Sequence, residues 1–268
     1  MKSLKKSLLM LAISGMPLMA QAELKALDDS SMGSITGQAG VTIELETKVN
    51  IGEVRYIDEG TLAISDVFIG GANRDDMFQE LGFAIPSSAS DLIDNIKINI
   101  DVLADGDAVI QVLLLYGSPI DFAVRTGAWE LRGNTDSTTV MDNLSVEGIF
   151  GSMMVTVDTA TDEMNINTRF AIDDLDVDVP FMAVGIRDLE LTGAGYDDTP
   201  NVVSVFALAD FDVYKAPNAA GNDSLAVDID TFNADMNIGG VLIGGTSIGS
   251  IALDDMSIQN TQMRIYGH

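Results

Sequence analysis

One short phrase recurs seven times along the chain: an apolar residue, any residue, Asp or Asn, an apolar residue, any residue, an apolar residue. It reads Ile64-Ser65-Asp66-Val67-Phe68-Ile69, Ile93-Asp94-Asn95-Ile96-Lys97-Ile98, Met141-Asp142-Asn143-Leu144-Ser145-Val146 and Ile172-Asp173-Asp174-Leu175-Asp176-Val177. It returns as Ile186-Arg187-Asp188-Leu189-Glu190-Leu191, Leu208-Ala209-Asp210-Phe211-Asp212-Val213 and Leu253-Asp254-Asp255-Met256-Ser257-Ile258. Side chains on one face of a regular strand recur at every second residue. Here the first apolar gap is three residues and the second is two, so the two sets face opposite ways unless the chain bulges or turns at the acidic pair. Asp and Asn suit such a bend because their short side chains bond to nearby backbone. The phrase therefore predicts many short, similarly built strands facing one core, unless wording rich in Asp, Ile and Val has produced it by chance. It specifies no chemistry.

The copies begin at residues 64, 93, 141, 172, 186, 208 and 253, which shows no fixed period and does not establish a regular solenoid. The expected fold is all-β: an irregular β-roll, a solenoid-like stack or a bent sandwich, with one small helical insertion near residues 73–95. Within that insertion Asn73 is the expected cap of a helix from Arg74 to Leu81 with Gly82 as its stop, and Ser88 or Ser90 starts a short turn through Ile93. With Met77, Phe78 and Leu81 on one side, it reads as a lid over one end of the core.

Ahead of all this, Lys2, Lys5 and Lys6, the apolar run Leu8 to Ile13, Pro17 and the small-x-small site Ala20-Gln21-Ala22 have the form of a secretory signal peptide over residues 1–22. Residues 23–268 are expected to form a single elongated all-β domain, or two lobes divided near residues 134–140. Cleavage would take three lysines and no acid, moving the net charge from −27 to −30. That charge disfavours nucleic acid and anionic lipid as partners. Hydrophobic residues still make up 47% of the chain and the acids are interleaved with them, which argues for the wet face of a sheet and against disorder. With no cysteine, an exported chain has no disulfide staple, thiolate chemistry or lipoprotein anchor.

A strand from Val41 to Val49 alternates strictly, and a second follows from Glu53 to Ile57. The clearest hairpin pairs Ile96 to Val102 with Ala108 to Tyr116 about Asp105-Gly106, and the returning strand is apolar on both faces. Val202 to Leu208 shares that doubly apolar character. Strands are also expected at Ile120 to Arg125, Ala128 to Arg132, Met141 to Phe150, Ser152 to Thr159, Met164 to Ile172, Leu175 to Val179, Met182 to Leu191, Val202 to Tyr214, Leu225 to Met236, Gly240 to Ile243 and Ile248 to Tyr266. Such alternation also suits an outer-membrane barrel, but only 6% of residues are aromatic and most strands carry Asp or Glu.

The stretch Leu24-Lys25-Ala26-Leu27-Asp28-Asp29, followed by Met32 and Ile35-Thr36-Gly37-Gln38-Ala39-Gly40-Val41-Thr42-Ile43, resembles the mature N-terminus of poorly characterised exported Gram-negative proteins. Some of those are described as pilus-assembly or surface-filament components. The resemblance covers residues 24–58 and implies a structural role at the cell surface or in the periplasm, with no catalytic residues to carry over.

Enzyme chemistry finds little support. His268, the sole histidine, is the last residue, so a Ser-His-Asp relay or a histidine zinc site has little to work with. Gly33 to Gly37 is not a nucleophile elbow, and Gly239 to Gly249 lacks the Walker lysine and the dinucleotide fingerprint. Among 41 acidic residues some pair always falls at a workable separation for glycoside hydrolysis, yet one Trp and five Tyr supply a sugar cleft poorly. Trp129 reads as a core anchor. Catalytic and cofactor-binding residues are therefore expected to be none, and no dedicated metal ligands are assigned. Weak calcium binding by spread carboxylates is expected, with Gly221-Asn222-Asp223 as a loop candidate outside any calcium-repeat pattern.

Three roles remain. The leading one is a non-enzymatic structural or interaction protein of the periplasm or cell surface, with protein partners at the envelope. The alternatives are a module binding a lipid or other apolar molecule, and a carboxylate-based hydrolase. Far-ultraviolet circular dichroism of the purified protein is expected to be β-dominated with minor helix; more helix than strand refutes the all-β reading.

Overall fold

The computed structural model describes residues 40–81, 83, 90–196 and 201–267. The leader, the N-terminal motif before Gly40, the Gly82 stop, the Ser88 start and His268 lie outside the described residues. Thirteen strands form one antiparallel sheet. They are β1 (Val41–Thr47), β2 (Val49–Ile57), β3 (Thr61–Gly70), β4 (Ile93–Val102), β5 (Ala108–Leu114), β6 (Ile120–Thr126) and β7 (Trp129–Arg132). They continue as β8 (Ser137–Asp158), β9 (Glu163–Val179), β10 (Val184–Thr192), β11 (Ala207–Pro217), β12 (Asp223–Ile243) and β13 (Thr246–Ile265). The all-β expectation holds, and so does the single helical insertion: α1 (Asp76–Glu80) lies within residues 73–95.

Two half-sheets share four long strands, β8, β9, β12 and β13. In one half the order is β1, β4, β5, β8, β9, β11, β12, β13. In the other, β2 and β3 lead through β6 and β7 to β8, and β9 leads through β10 to β12 and β13. β6 and β7 follow each other in the gap between β3 and β8, as β10 and β11 do between β9 and β12. Met141 to Phe150 and Ser152 to Thr159, expected as separate strands, fall along the single strand β8, which ends at Asp158 and bulges at Gly151 between them.

The phrase bends the strands as the sequence implies. Its third residue takes a left-handed backbone in five copies, at Asp66, Asn95, Asn143, Asp188 and Asp255, with φ between 50° and 60°. Asp and Asn are the non-glycine residues that tolerate this region best. In the copy starting at Ile172 the register slips by one residue at Asp173, which has the same effect on facing. The copy starting at Leu208 does not bend, since residues 207–214 pair with β9 without a shift; the bulge there is at Asp230 of the partner strand. An unforeseen bend of the same form occurs in β13, where Asn260 has φ 53° between Ile258 and Thr261. Gly239 sits opposite Asp188, and a Cβ there would fall 2.8 Å from the Cβ of Asp188, so the bend requires glycine across from it.

The consequence is a sheet with two distinct faces, because partnered residues share a face and neighbours along a strand alternate. One row runs Val41, Ile100, Ile110, Val155, Ile166, Phe211, Ile229, Thr261 across the first half-sheet. The adjacent row on the other face runs Thr42, Asn99, Gln111, Met154, Asn167, Asp210, Thr231, Gln259. In the second half-sheet the apolar side continues through Val49, Ile69, Val124, Val146 and Leu175.

The lid packs on the polar face and not over one end of the sheet. Met77, Phe78 and Leu81 are buried against Ala123, Ile149 and Ala171, with Val205 from the segment between β10 and β11. This corrects the strand expected from Val202: residues 202–206 form a turn, and β11 starts at Ala207. Gly151 leaves room for the Phe206 ring, whose atoms would lie 3.0 Å from a Cβ there, and Phe206 meets Phe83 at a ring separation of 6.0 Å. The expected Asn73 cap is also corrected: Asn73 has φ 58°, and Asp75 is the N-cap, with no side-chain capping bond.

Asp66→Val and Asp188→Val are each expected to lower stability by about 1–2 kcal/mol, the cost of a β-branched residue in the left-handed region, while Asp→Gly at either site costs less. Chemical denaturation checks this; equal losses from Val and Gly would show that the side chain and not the backbone governs the bend.

Candidate functional site

Acids collect where copies of the phrase bend the sheet, from two adjacent copies in one place and from one copy and the neighbouring strand in another. Carboxylate oxygens of Asp174 and Asp176 on β9 and Asp188 on β10 lie within 4.8 Å of one another, as do those of Asp235 on β12 with Asp254 and Asp255 on β13. In the first group the backbone N–H of Asp188 donates to Asp176 Oδ1 at 3.0 Å. Asp174 Oδ1 is buried without a hydrogen-bond partner, and burial, reinforced by Asp176 and Asp188, pushes the Asp174 carboxyl above its ordinary range. In the second group Asp235 is fully buried and accepts the N–H groups of Asp255 at 2.8 Å and Tyr196 at 3.0 Å, so it ties a bend to the lid-side loop. Both groups offer the oxygen-only donors that suit a divalent cation such as calcium in loose coordination. The Gly221-Asn222-Asp223 loop is shaped differently. Asn218 Oδ1 accepts the N–H groups of Ala220 and Asn222, and Asp223 pairs with Lys215 at 2.7 Å.

A second charged constellation fastens the lid. Arg74 bonds Asp76 through Nε at 3.1 Å and Glu80 through NH2 at 3.2 Å on the lid side, and reaches Asp173 at 2.7 Å and Glu147 at 3.3 Å on the sheet. Arg125 holds the other Glu147 oxygen at 2.5 Å, with its guanidinium 5.3 Å from the Phe68 ring centre. Asp121 accepts the Ala72 N–H at 2.8 Å where the insertion leaves β3. Burial pushes Asp173 up to about 6 against the pull of Arg74, and burial also raises Asp121. Elsewhere on the sheet both directions occur: burial and the neighbouring Asp212 raise Glu163 and Asp230, whereas two ion-paired acids are lowered. Arg187, then Asn143, keep Asp178 below the usual carboxylate range, and Arg264, with Tyr214 beside it, does the same for Asp228.

The third feature is the apolar face itself. At its strand positions the only charged side chains among the described residues are Lys215 and Asp223, which pair with each other at the tip of the β11–β12 hairpin. Apart from Gly148, only Ile120, Leu191, Ala207 and Ala234 on this face are buried. The local cluster there joins Leu191, Ala207 and Ala234 to Phe170, Phe232 and Met256, all from the sheet itself. Exposure is greatest at the margins, 58% for Val41 and 51% for Ile265. Trp129 stands half-buried on this side opposite Met141, with its Nε1–H donating to Thr126 Oγ1 at 2.7 Å. The face was legible in the repeated phrase, whereas the Arg74 clamp, built from residues up to 99 positions apart, had no local signal.

Raised carboxyls such as Asp173, Asp121 and Asp174 contribute stability that is present below their unfolded values and is lost as pH rises through their folded ones. Lowered ones such as Asp178 and Asp228 contribute above the unfolded value and lose it in stronger acid. The melting temperature is therefore expected to rise as pH falls from about 7.5 to about 5, and to drop below about 3.5. Asp173→Asn flattens the rise near pH 6. A wild-type curve that falls between pH 7.5 and 5 refutes the assignment. At fixed ionic strength, calcium is expected to raise the melting temperature and a chelator to reverse it, whereas an effect matched by sodium chloride would be screening alone.

A family model described only as a family of unknown function (DUF6160) matches residues 1–104, a range that includes β1 to β3 and α1 together with β4. No curated protein and no solved structure matches the chain.

Proposed function

We propose that the protein is an exported, non-enzymatic structural or interaction protein of the bacterial envelope, acting through its sheet and not through a reactive centre. The carrying observation is the division of the sheet into an almost charge-free apolar face and an acidic one. An apolar surface extending across so many strands marks a contact site and not a soluble exterior. The leader pattern of residues 1–22 supports export, and the likeness of residues 24–58 to surface-filament components supports a structural role there. The edges β1, β2 and β13 support the same reading, since among the described residues each pairs on one side only. An apolar-ligand module is the second reading, favoured by the same face, which no other element among the described residues covers.

Fractionating cells and treating intact ones with protease tests the proposal. The protein is expected in the envelope or outside the cell, and confinement to the cytosol overturns the proposal. Native mass spectrometry of protein purified without detergent tests the second reading, which a co-purified apolar mass supports and a clean chain mass removes.

A further inference from the structure

We propose that the apolar face is a self-association surface, through which two copies of this chain pack sheet against sheet. The inference rests on the interaction reading above and names the partner. In the half-sheet from β1 to β13, eight strands at about 4.8 Å give roughly 35 Å of width, and a seven-residue strand such as β5 gives about 23 Å of height. That half alone therefore presents on the order of 800 Å². The largest apolar patch of an ordinary monomer is about 300–600 Å², and each partner in a standard stable interface contributes about 800 Å².

Chemistry narrows the occupant. A face without charged side chains among the described residues, save the paired Lys215 and Asp223, calls for a partner surface without unpaired charge, and a second copy presents the same surface. A single acyl chain is too narrow to cover eight strands. A bilayer is wide enough, but burying this face in hydrocarbon would carry with it the outer edges of β1, β2 and β13, to which no strand pairs among the described residues. Sheet-on-sheet packing, with backbones about 10 Å apart, leaves those edges in water. It also places the acids of both copies on the outer faces, where salt screens their repulsion over about 8 Å. Association should therefore strengthen with ionic strength.

The test is light scattering on size-exclusion fractions, with native mass spectrometry, of protein purified without detergent and diluted at low and moderate salt. The expected result is twice the chain mass, dissociating on dilution and more readily at low salt. Ile110→Lys, inside the face on the third of its eight strands, should weaken the dimer about ten-fold or more, while Gln111→Lys on the opposite side leaves it intact. Because the chain has no cysteine, Val112→Cys and Gln111→Cys give a second readout that does not require a charge in the sheet. A long bifunctional maleimide should link copies through position 112 and not through 111. A monomer at all concentrations overturns the proposal, whether it is bare, carries a co-purified apolar molecule or binds vesicles. A dimer that resists Ile110→Lys and crosslinks equally at both positions overturns it too, and points to the strand edges. A monomer that still fractionates with the envelope removes self-association and leaves the envelope reading standing.

Discussion

The left-handed bend at a short acidic or amide side chain is the constraint on which the sheet depends. A strand as long as β8 or β13, with 22 or 20 residues, would twist its apolar residues away from any single surface if it alternated without interruption. By inserting a residue with positive φ between two apolar sets, the phrase resets the alternation and returns both sets to the same side. The long strands can therefore cross from one half-sheet to the other without reversing face.

The same device explains where the acids go. A bend favours Asp or Asn, so carboxylates meet where the copies on β9 and β10 lie side by side, at Asp174, Asp176 and Asp188, and where the buried Asp235 of β12 accepts the N–H of the bend residue Asp255, beside Asp254. Elsewhere the scarce cations and amides are distributed as clamps. Asn165 bridges Asp210 and Asp212 at 2.8 Å each, and Arg187 takes Asp178 at 2.6 Å. Repulsion on the acidic face is thus relieved locally by pairing, while the only charges on the opposite face among the described residues are the paired Lys215 and Asp223.

The lid obeys a different logic. Its helix is only five residues long and has no side-chain cap, so it gains little from its own hydrogen bonds. Packing of Met77 and Phe78 on Ala123 and Ala171, together with the Arg74 and Asp121 contacts, holds it in place. The small side chains on the sheet matter as much as the large ones on the lid, because they let it approach closely.

What the sequence determined by itself is local: the strand class, the bends and the facing of apolar residues, all consequences of side-chain alternation and of the backbone freedom of Asp and Asn. Leu175, Leu189 and Met256 stand on the apolar side as the spacing of the phrase requires. The tertiary structure decided what depends on partners distant in sequence. It straightened the copy at Leu208 because β9 pairs there in unbroken register, and it turned residues 202–206 out of the sheet to cover the lid-side cluster. It also brought Arg74 to Asp173. Alternation is a property of neighbours along the chain, whereas register, burial and charge pairing belong to strands that meet only after folding.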